Sequence, residues 1–434
     1  MTRIISAFCL LTIANGAAIA DDLKRSGLIG VMITRADESK PPSAETNPVV
    51  VTRVIDGSAA AEAGLQPGDI LRTADGKRLG SPADFAGVRR YAGDRVHVTL
   101  DRSGQTLSKE IVVKPRPFET SPNAEVLYHS VTVHDSRRRV IVTKPKREGR
   151  LPAVILMGGL GCYSLDGQSR ENGYGRILSA FEEKGFVTMR VEKTGEGDSE
   201  GPRCSDLTAT AQFEADGLLA GLRALKSYDF VDPERVFALA HSMGPVIGSL
   251  VVPRESLKGF IAIETMGTSW YEYDIERSRL QETLGGDPLD EVDRTVRGYN
   301  ACSFRFFVEK QNPEQLAKAP DCRRVLEPFG NVPYTYMHQV ADINLAAQWK
   351  QADMPVLVIY GTASPVTTAR QSRYLADIIN SFHPGRATYV EVPGMGHDFG
   401  RYESQAEFLR RHAAPHPFHT GVLDAIFAWL DTVA

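Results

Sequence analysis

Val231-Asp232-Pro233-Glu234-Arg235-Val236-Phe237-Ala238-Leu239-Ala240-His241-Ser242-Met243-Gly244 decides how the chain reads. A turn-forming approach, Val231 to Arg235, leads into the apolar run Arg235–Leu239. That run has the length and apolar character of a buried strand. Ala240-His241-Ser242-Met243-Gly244 follows, and a helix-compatible run begins at Val246. The five residues approximate Gly-x-Ser-x-Gly, with Ala240 in place of the first glycine. Small flanking residues are needed where a sharp strand-to-helix turn pushes a serine into a strained, exposed position. A serine that only caps a helix is the plainer reading. A strand before it and a helix after it favour the nucleophile.

Other apolar runs flank this one. Before it lie Val126 to Val133, Arg139 to Thr143, Ala153-Val154-Ile155-Leu156-Met157 and Phe186 to Val191. After it lie Gly259-Phe260-Ile261-Ala262-Ile263, Pro355 to Tyr360 and Ala387 to Val392. Most are separated by helix-compatible stretches. The alternation predicts an α/β protein: a doubly wound, mostly parallel sheet with helices on both faces. Reactive groups then belong at the carboxyl ends of strands. Met157-Gly158-Gly159-Leu160-Gly161 occupies one such end. Pro393-Gly394-Met395-Gly396-His397-Asp398 occupies another, directly after the last strand.

These motifs resemble the α/β-hydrolase superfamily, nearest its esterase and prolyl-peptidase-like branches, over residues 124–434. The resemblance implies Ser242 as nucleophile and His397 as general base. It also implies an oxyanion hole built from the N–H of Leu160, or of a neighbouring glycine, and that of Met243. The loop Glu192 to Ser199 matches a structural loop of the family and receives no catalytic part. His241 and His383 are read as structural. The stretch between strands six and seven, about residues 265–350, is expected to form a helical cap over the nucleophile. Its aromatics include Trp270, Tyr271, Tyr273, Phe304, Phe306, Phe307, Tyr334 and Tyr336, most of them expected in the cap's own core.

One position departs from the family. After strand seven an acid is usual, but the stretch reads Gly361-Thr362-Ala363-Ser364-Pro365. Ser364 cannot supply the negative charge that stabilises an imidazolium. Glu264, at the end of strand six, is the first choice of substitute. A Ser–His dyad helped by Ser364 or water is the second, and Asp398 and Glu391 remain as further carboxylates.

Upstream, Gly27 to about Lys114 alternates short β-rich runs with turns. Ser58-Ala59-Ala60-Ala61-Glu62-Ala63-Gly64-Leu65-Gln66-Pro67-Gly68-Asp69-Ile70-Leu71 is its most specific stretch. It resembles a bacterial PDZ domain, assigned to residues 27–116. That resemblance implies a peptide groove in which Leu28, Ile29, Gly30 and Val31 hold a terminal carboxylate. Phe85 and Val88, on a helix starting near Ser81-Pro82, would form its walls. Packing without any ligand is the alternative. Residues Ala36 to Pro48 read as an insertion, and Pro115 to Pro122 as the linker.

Residues 1–20 begin Met1-Thr2-Arg3, run apolar from Ile4 and end Ala18-Ile19-Ala20. This fits a cleavable secretory signal better than a membrane anchor. Its removal takes Cys9 and leaves Cys162, Cys204, Cys302 and Cys322. An even set suits an oxidising compartment, periplasmic or extracellular, and allows three connectivities. The hydrolase resemblance implies Cys162–Cys204, beside the site loops, and Cys302–Cys322, within the cap.

Composition is ordinary, 42% hydrophobic and 24% charged with a net charge of −4, which excludes disordered and collagen-like chains. No affinity for nucleic acid, no membrane span after signal removal, no cofactor and no metal are expected. The cluster His412, His416, His419 is broken by prolines and offers only three ligands. The reading is an exported serine hydrolase acting on a small carboxylic ester. A serine peptidase of the same fold is the alternative, as is a catalytically weak PDZ-type binding protein that captures a protein C-terminus.

Overall fold

The computed structural model describes residues 23–36, 47–171, 173–319, 322, 325, 329, 331–412, 414 and 416–433. The signal segment 1–20, and residues 37–46 of the expected insertion, lie outside the described residues. Two compact units divide the chain, Asp22–Thr120 and Ser121–Ala434.

The smaller unit holds β1 (Gly27–Leu28), β2 (Val31–Arg35), β3 (Val49–Val54), α1 (Ala59–Glu62), β4 (Ile70–Ala74), β5 (Lys77–Arg78) and α2 (Pro82–Ala86). It continues with β6 (Arg95–Arg102), β7 (Gln105–Val112) and β8 (Lys114–Pro115). The antiparallel order is β2-β3-β4-β6-β7; β5 pairs with β4, and β1 with β8. Ser58 caps α1, its Oγ accepting from the Ala61 N–H at 3.2 Å. The buried Asp69 carboxylate ends the Pro-Gly-Asp turn by accepting from Gln66 N (2.8 Å) and Arg102 Nε (2.6 Å). Both contacts hold that carboxyl below its ordinary value despite burial, which works the other way. Alternate residues Val49 and Val51, Val96, Val98 and Leu100 face the core.

The larger unit begins with β9 (Ala124–Val133), β10 (Ser136–Pro145), β11 (Leu151–Met157), α3 (Gly173–Glu183), β12 (Val187–Val191), α4 (Ala211–Ser227), β13 (Val231–His241), α5 (Gly244–Gly248) and β14 (Gly259–Ile263). After β14 come α6 (Trp270–Gly285), α7 (Leu289–Ser303), a π-helical turn at Phe304–Val308, α8 (Pro313–Leu316), α9 (Tyr334–Asp342) and α10 (Leu345–Trp349). The chain closes with β15 (Val356–Gly361), α11 (Ala369–Phe382), β16 (Ala387–Val392), α12 (Gln405–Arg411) and α13 (Gly421–Val433).

Eight strands form one sheet in the order β16-β15-β14-β13-β11-β12-β10-β9. The run from β16 to β12 is parallel; β10 and β9 are antiparallel. Why the central runs are apolar throughout is visible in β11. Ala153, Ile155 and Met157 enter one core with α4, whereas Val154 and Leu156 enter the other with α3 and α13. A strand covered on both faces has no polar side. Between β14 and β15 stand α6 to α10, the expected cap. Ser269 starts α6 through a capping box with Glu272.

Candidate active site

Ser242 follows β13 directly and takes a left-handed backbone, φ 59°. Its N–H donates to Ile263 O at 2.9 Å, tying the turn to the end of β14. Gly244 has to be glycine, because a Cβ there would lie 2.1 Å from Met157 O. The turn thus holds a non-glycine residue in a costly conformation by packing on both sides.

His397, in the turn after β16, places Nε2 3.1 Å from Ser242 Oγ. Its Nδ1 lies 3.4 Å from Glu264 Oε2. Glu264 is fully buried, and it too has a positive φ, 54°, at the end of β14. Its Oε1 accepts from the Gly361 N–H, and its Oε2 also accepts from Thr367 Oγ1 at 2.6 Å. The other carboxylates are engaged elsewhere. Asp398 closes its own turn, accepting from Gly400 N (2.9 Å) and Tyr402 OH (2.6 Å). Glu391 accepts from Arg373 Nη2 and Tyr389 OH. Ser364 Oγ accepts from Val366 N at 3.3 Å, and its carbonyl from Tyr360 OH and Gln405 Nε2. His397 meets Glu264 rather than any of these.

Leu160 and Met243 line the same pocket as Ser242. Among the described residues neither backbone N–H has a protein acceptor, whereas the N–H of Gly159 donates to Tyr174 OH at 2.9 Å. The Gly159 carbonyl is fixed from two sides, by Tyr163 OH (3.1 Å) and Lys193 Nζ (2.9 Å). Tyr174 OH donates in turn to His241 Nδ1 (2.8 Å), and His241 Nε2–H donates to the carbonyl of His397 (2.9 Å). Burial first, and the adjacent His397 second, hold His241 well below its ordinary pKa, so it stays neutral and can play both parts. Burial pushes the Tyr174 hydroxyl up to about 12, which keeps its proton in place. One chain of hydrogen bonds therefore joins the Gly159 loop to the backbone of His397.

The pocket over Ser242 has a volume of about 270 Å³. Its wall is mainly apolar, with Met266, Phe329 and Val366 joined by Trp270 and Tyr273 from α6. Arg277, also on α6, is its one cation among the described residues. Asp274 accepts from Arg277 Nη2 at 2.6 Å and Gln281 from Nη1 at 3.0 Å. Of the other cap aromatics, Phe306, Phe307 and Tyr336 are buried in the core, and Phe304 is exposed.

Cysteines are joined as Cys162–Cys204 and Cys302–Cys322. The first ties the loop after β11 to the loop before α4; the second closes a loop within the cap. Glu196 approaches Cys162 and Cys204, but both sulfurs are consumed by their mutual bond. His412, His416 and His419 each turn a ring nitrogen to a backbone carbonyl, of Phe408, Arg411 and Pro393. His383 does the same with Lys350 O.

In the smaller unit, Leu28, Ile29, Gly30 and Val31 span the β1–β2 connection. Gly30 has φ 76°, and a Cβ there would lie 2.2 Å from Ser58 Cβ. The carbonyls of Ile29 and Gly30 accept from Ala60 N and Ile55 N, so they turn toward α1 and the end of β3. The two expected wall residues do not share a helix: Phe85 is 3% exposed and packs within the core cluster. The helix ends at Ala86, and this single turn has only one inward position. Val88 lies past its end, 38% exposed.

Tyr163, Tyr174 and Arg277 were not marked by any sequence motif. Lys193 lies in the loop expected to be structural, and its contact with Gly159 O brings that loop to the site.

Residues 80–411 match the model of the Alpha/beta hydrolase family, and residues 50–102 that of the PDZ domain. Esterase EstD of Thermotoga maritima is 24% identical over 221 residues, 51% of this chain and 48% of EstD. The chain spans about half or less of the length of the curated relatives it matches. Among solved structures, DcsB in complex with its substrate analogue aligns with a TM-score of 0.46 at 16% identity, covering 72% of this chain and 100% of that one. Est1E from Butyrivibrio proteoclasticus aligns with a TM-score of 0.43 at 15% identity, covering 70% and 99%.

Proposed function

This chain belongs to the alpha/beta hydrolase family, and from that premise we propose that it is a serine hydrolase cleaving a carboxylic ester through an acyl-enzyme on Ser242. The observation that carries the reading is the unbroken line Ser242 Oγ–His397–Glu264, at 3.1 Å and 3.4 Å. In the proposed reaction His397 Nε2 takes the Ser242 proton as Oγ bonds to the ester carbonyl carbon. The carbonyl oxygen gains negative charge and receives the N–H groups of Leu160 and Met243. Glu264 holds the proton of His397 on Nδ1 and stabilises the imidazolium. The C–O bond then breaks, and His397 returns its proton to the departing alcohol. Water, deprotonated by the same imidazole, attacks the acyl carbon and releases the acid and free Ser242.

An ester is preferred to a peptide because the pocket is small and mostly apolar. The test is parallel turnover of p-nitrophenyl butyrate and of short peptide p-nitroanilides. Ester turnover with an initial burst of p-nitrophenol supports the reading. Faster amide hydrolysis would replace it with the peptidase reading.

The two disulfides support a further proposal, that the chain works in the periplasm or outside the cell. No helix among the described residues is long and apolar enough to cross a membrane. For the smaller unit we propose capture of a protein C-terminus at Leu28–Val31. The strand β2 ends its sheet, and the N–H groups of Ile29 and Gly30 have no protein acceptor among the described residues.

A further inference from the structure

We infer that the larger unit holds a second binding site, a small pocket beside Arg138 that takes one monovalent anion, chloride among the common inorganic anions. Three consecutive arginines on β10 frame the argument. Arg137 pairs with Glu200 (2.6 Å), and Arg139 with Asp198 (3.0 Å). Arg138 between them is only 2% exposed, and its buried Nε and Nη2 have no hydrogen-bond partner among the described residues. It lies 4.5 Å from the centre of the Phe213 ring, a contact that accommodates a cation without neutralising it. A buried charge with unpaired donors is costly, and folded proteins normally supply a counter-charge or a bound group.

The nearby acids hydrogen-bond elsewhere, and Glu214 acts on Arg138 only through space, favouring its charged form. Glu214 has one oxygen on Lys193 Nζ (3.0 Å) and the other on Tyr336 OH (2.8 Å). Glu192 accepts from Ser164 Oγ (2.5 Å), Leu165 N (3.0 Å) and Asp166 N (3.1 Å). Burial also pushes its carboxyl up to about 7, so near neutral pH it carries only part of a negative charge. Arg138, although lowered to about 10 by burial, keeps its proton at neutral pH. Two cations, Arg138 and Lys193, thus line a cavity of about 30 Å³ together with Glu214, whose oxygens are both engaged, and Glu192, whose carboxyl burial raises to about 7. A cavity needs roughly 10–15 Å³ to hold one water. A monatomic anion, with at most one water, fits there; a phosphate or an organic acid does not.

The site adjoins the proposed chemistry without belonging to it. Lys193 shares this cavity and also anchors the Gly159 carbonyl beside Ser242. Anion binding at this cavity can be measured without ester turnover.

The experiment uses the full chain exchanged into sodium gluconate. Crystals are soaked in sodium bromide, and anomalous scattering is collected at the bromine edge. In parallel, chloride is titrated at constant ionic strength while thermal unfolding is followed in the wild type and in Arg138→Met. Expected are a bromide peak within hydrogen-bonding distance of the Arg138 guanidinium and a saturable rise in midpoint of about 2–4 °C. Arg138→Met should lose that rise. A cavity holding water only, or an equal chloride response in both proteins, would overturn the inference. If Arg138→Met does not fold, the bromide map of the wild type decides alone.

Discussion

Replacing Glu264 by Gln changes one oxygen for an amide nitrogen, and the surroundings dictate which one. The Gly361 N–H donates to Oε1, so the amide oxygen must stay there to avoid two facing donors. The new NH₂ group is then turned toward Thr367 Oγ1 and His397 Nδ1. It donates to Nδ1 and so forces the His397 proton onto Nε2, where it points at Ser242 and cannot accept. Wrong tautomer and lost charge act together. In a serine-protease triad the same acid-to-amide change lowers turnover about 10⁴-fold, equivalent to ~5 kcal/mol. Glu264→Asp provides the graded control. It keeps the charge but retreats by roughly 1.5 Å, one carbon–carbon bond. Widening a 3.4 Å contact to roughly 5 Å at an effective dielectric near 20 costs ~1.6 kcal/mol, a loss of about 15-fold. The assay is the p-nitrophenol burst by stopped flow, which isolates acylation from deacylation. The order wild type, Asp, Gln is expected in acylation rate, with the Gln variant still folded by circular dichroism. A Gln variant acylating within threefold of wild type would refute the reasoning and favour an unassisted Ser–His pair.

Other predictions draw on separate parts of the structure. Tyr174→Phe removes the acceptor of the Gly159 N–H and the donor to His241 Nδ1, so kcat should fall about tenfold with KM little changed; steady-state kinetics check this. Glu192, raised to about 7 from 4.5, holds a proton more tightly folded than unfolded. Its stabilising contribution is complete below about pH 4.5 and fades as pH rises through 7. The stability of the wild type relative to Glu192→Gln should therefore drop by about 3 kcal/mol from pH 4.5 to 7, measured by urea unfolding. For the smaller unit, a peptide with a free C-terminus should bind at least tenfold more tightly than its amidated form, read by fluorescence anisotropy. Equal affinities would exclude carboxylate capture at Gly30.

How far the chain could be read depends on how local each signal is. Strands β11, β13, β14 and β15 were legible because burial on both faces leaves an uninterrupted apolar run. Ser242 and His397 were legible because each sits in a short small-residue turn directly after a strand. Glu264 was harder: its side chain reaches His397, 133 residues away, only because neighbouring strands are in register. Its candidacy came from strand order, not from a motif. The support around the site left no trace at all. Tyr174 meets His241 across 67 residues, and Lys193 meets Gly159 across 34, with no periodicity to mark either. Phe85 and Val88 were named together only through the PDZ resemblance; the helix stops at Ala86, so the two do not share it, and the Phe85 ring packs in the core.

The central claim is that Ser242 is a nucleophile activated by His397. Labelling the folded protein with a fluorophosphonate, followed by mass spectrometry of the adducted peptide, tests it most directly. The account predicts one phosphonate on Ser242, no labelling of Ser242→Ala, and labelling strongly slowed in His397→Ala. An unlabelled wild type, or equal labelling of wild type and Ser242→Ala, would contradict it.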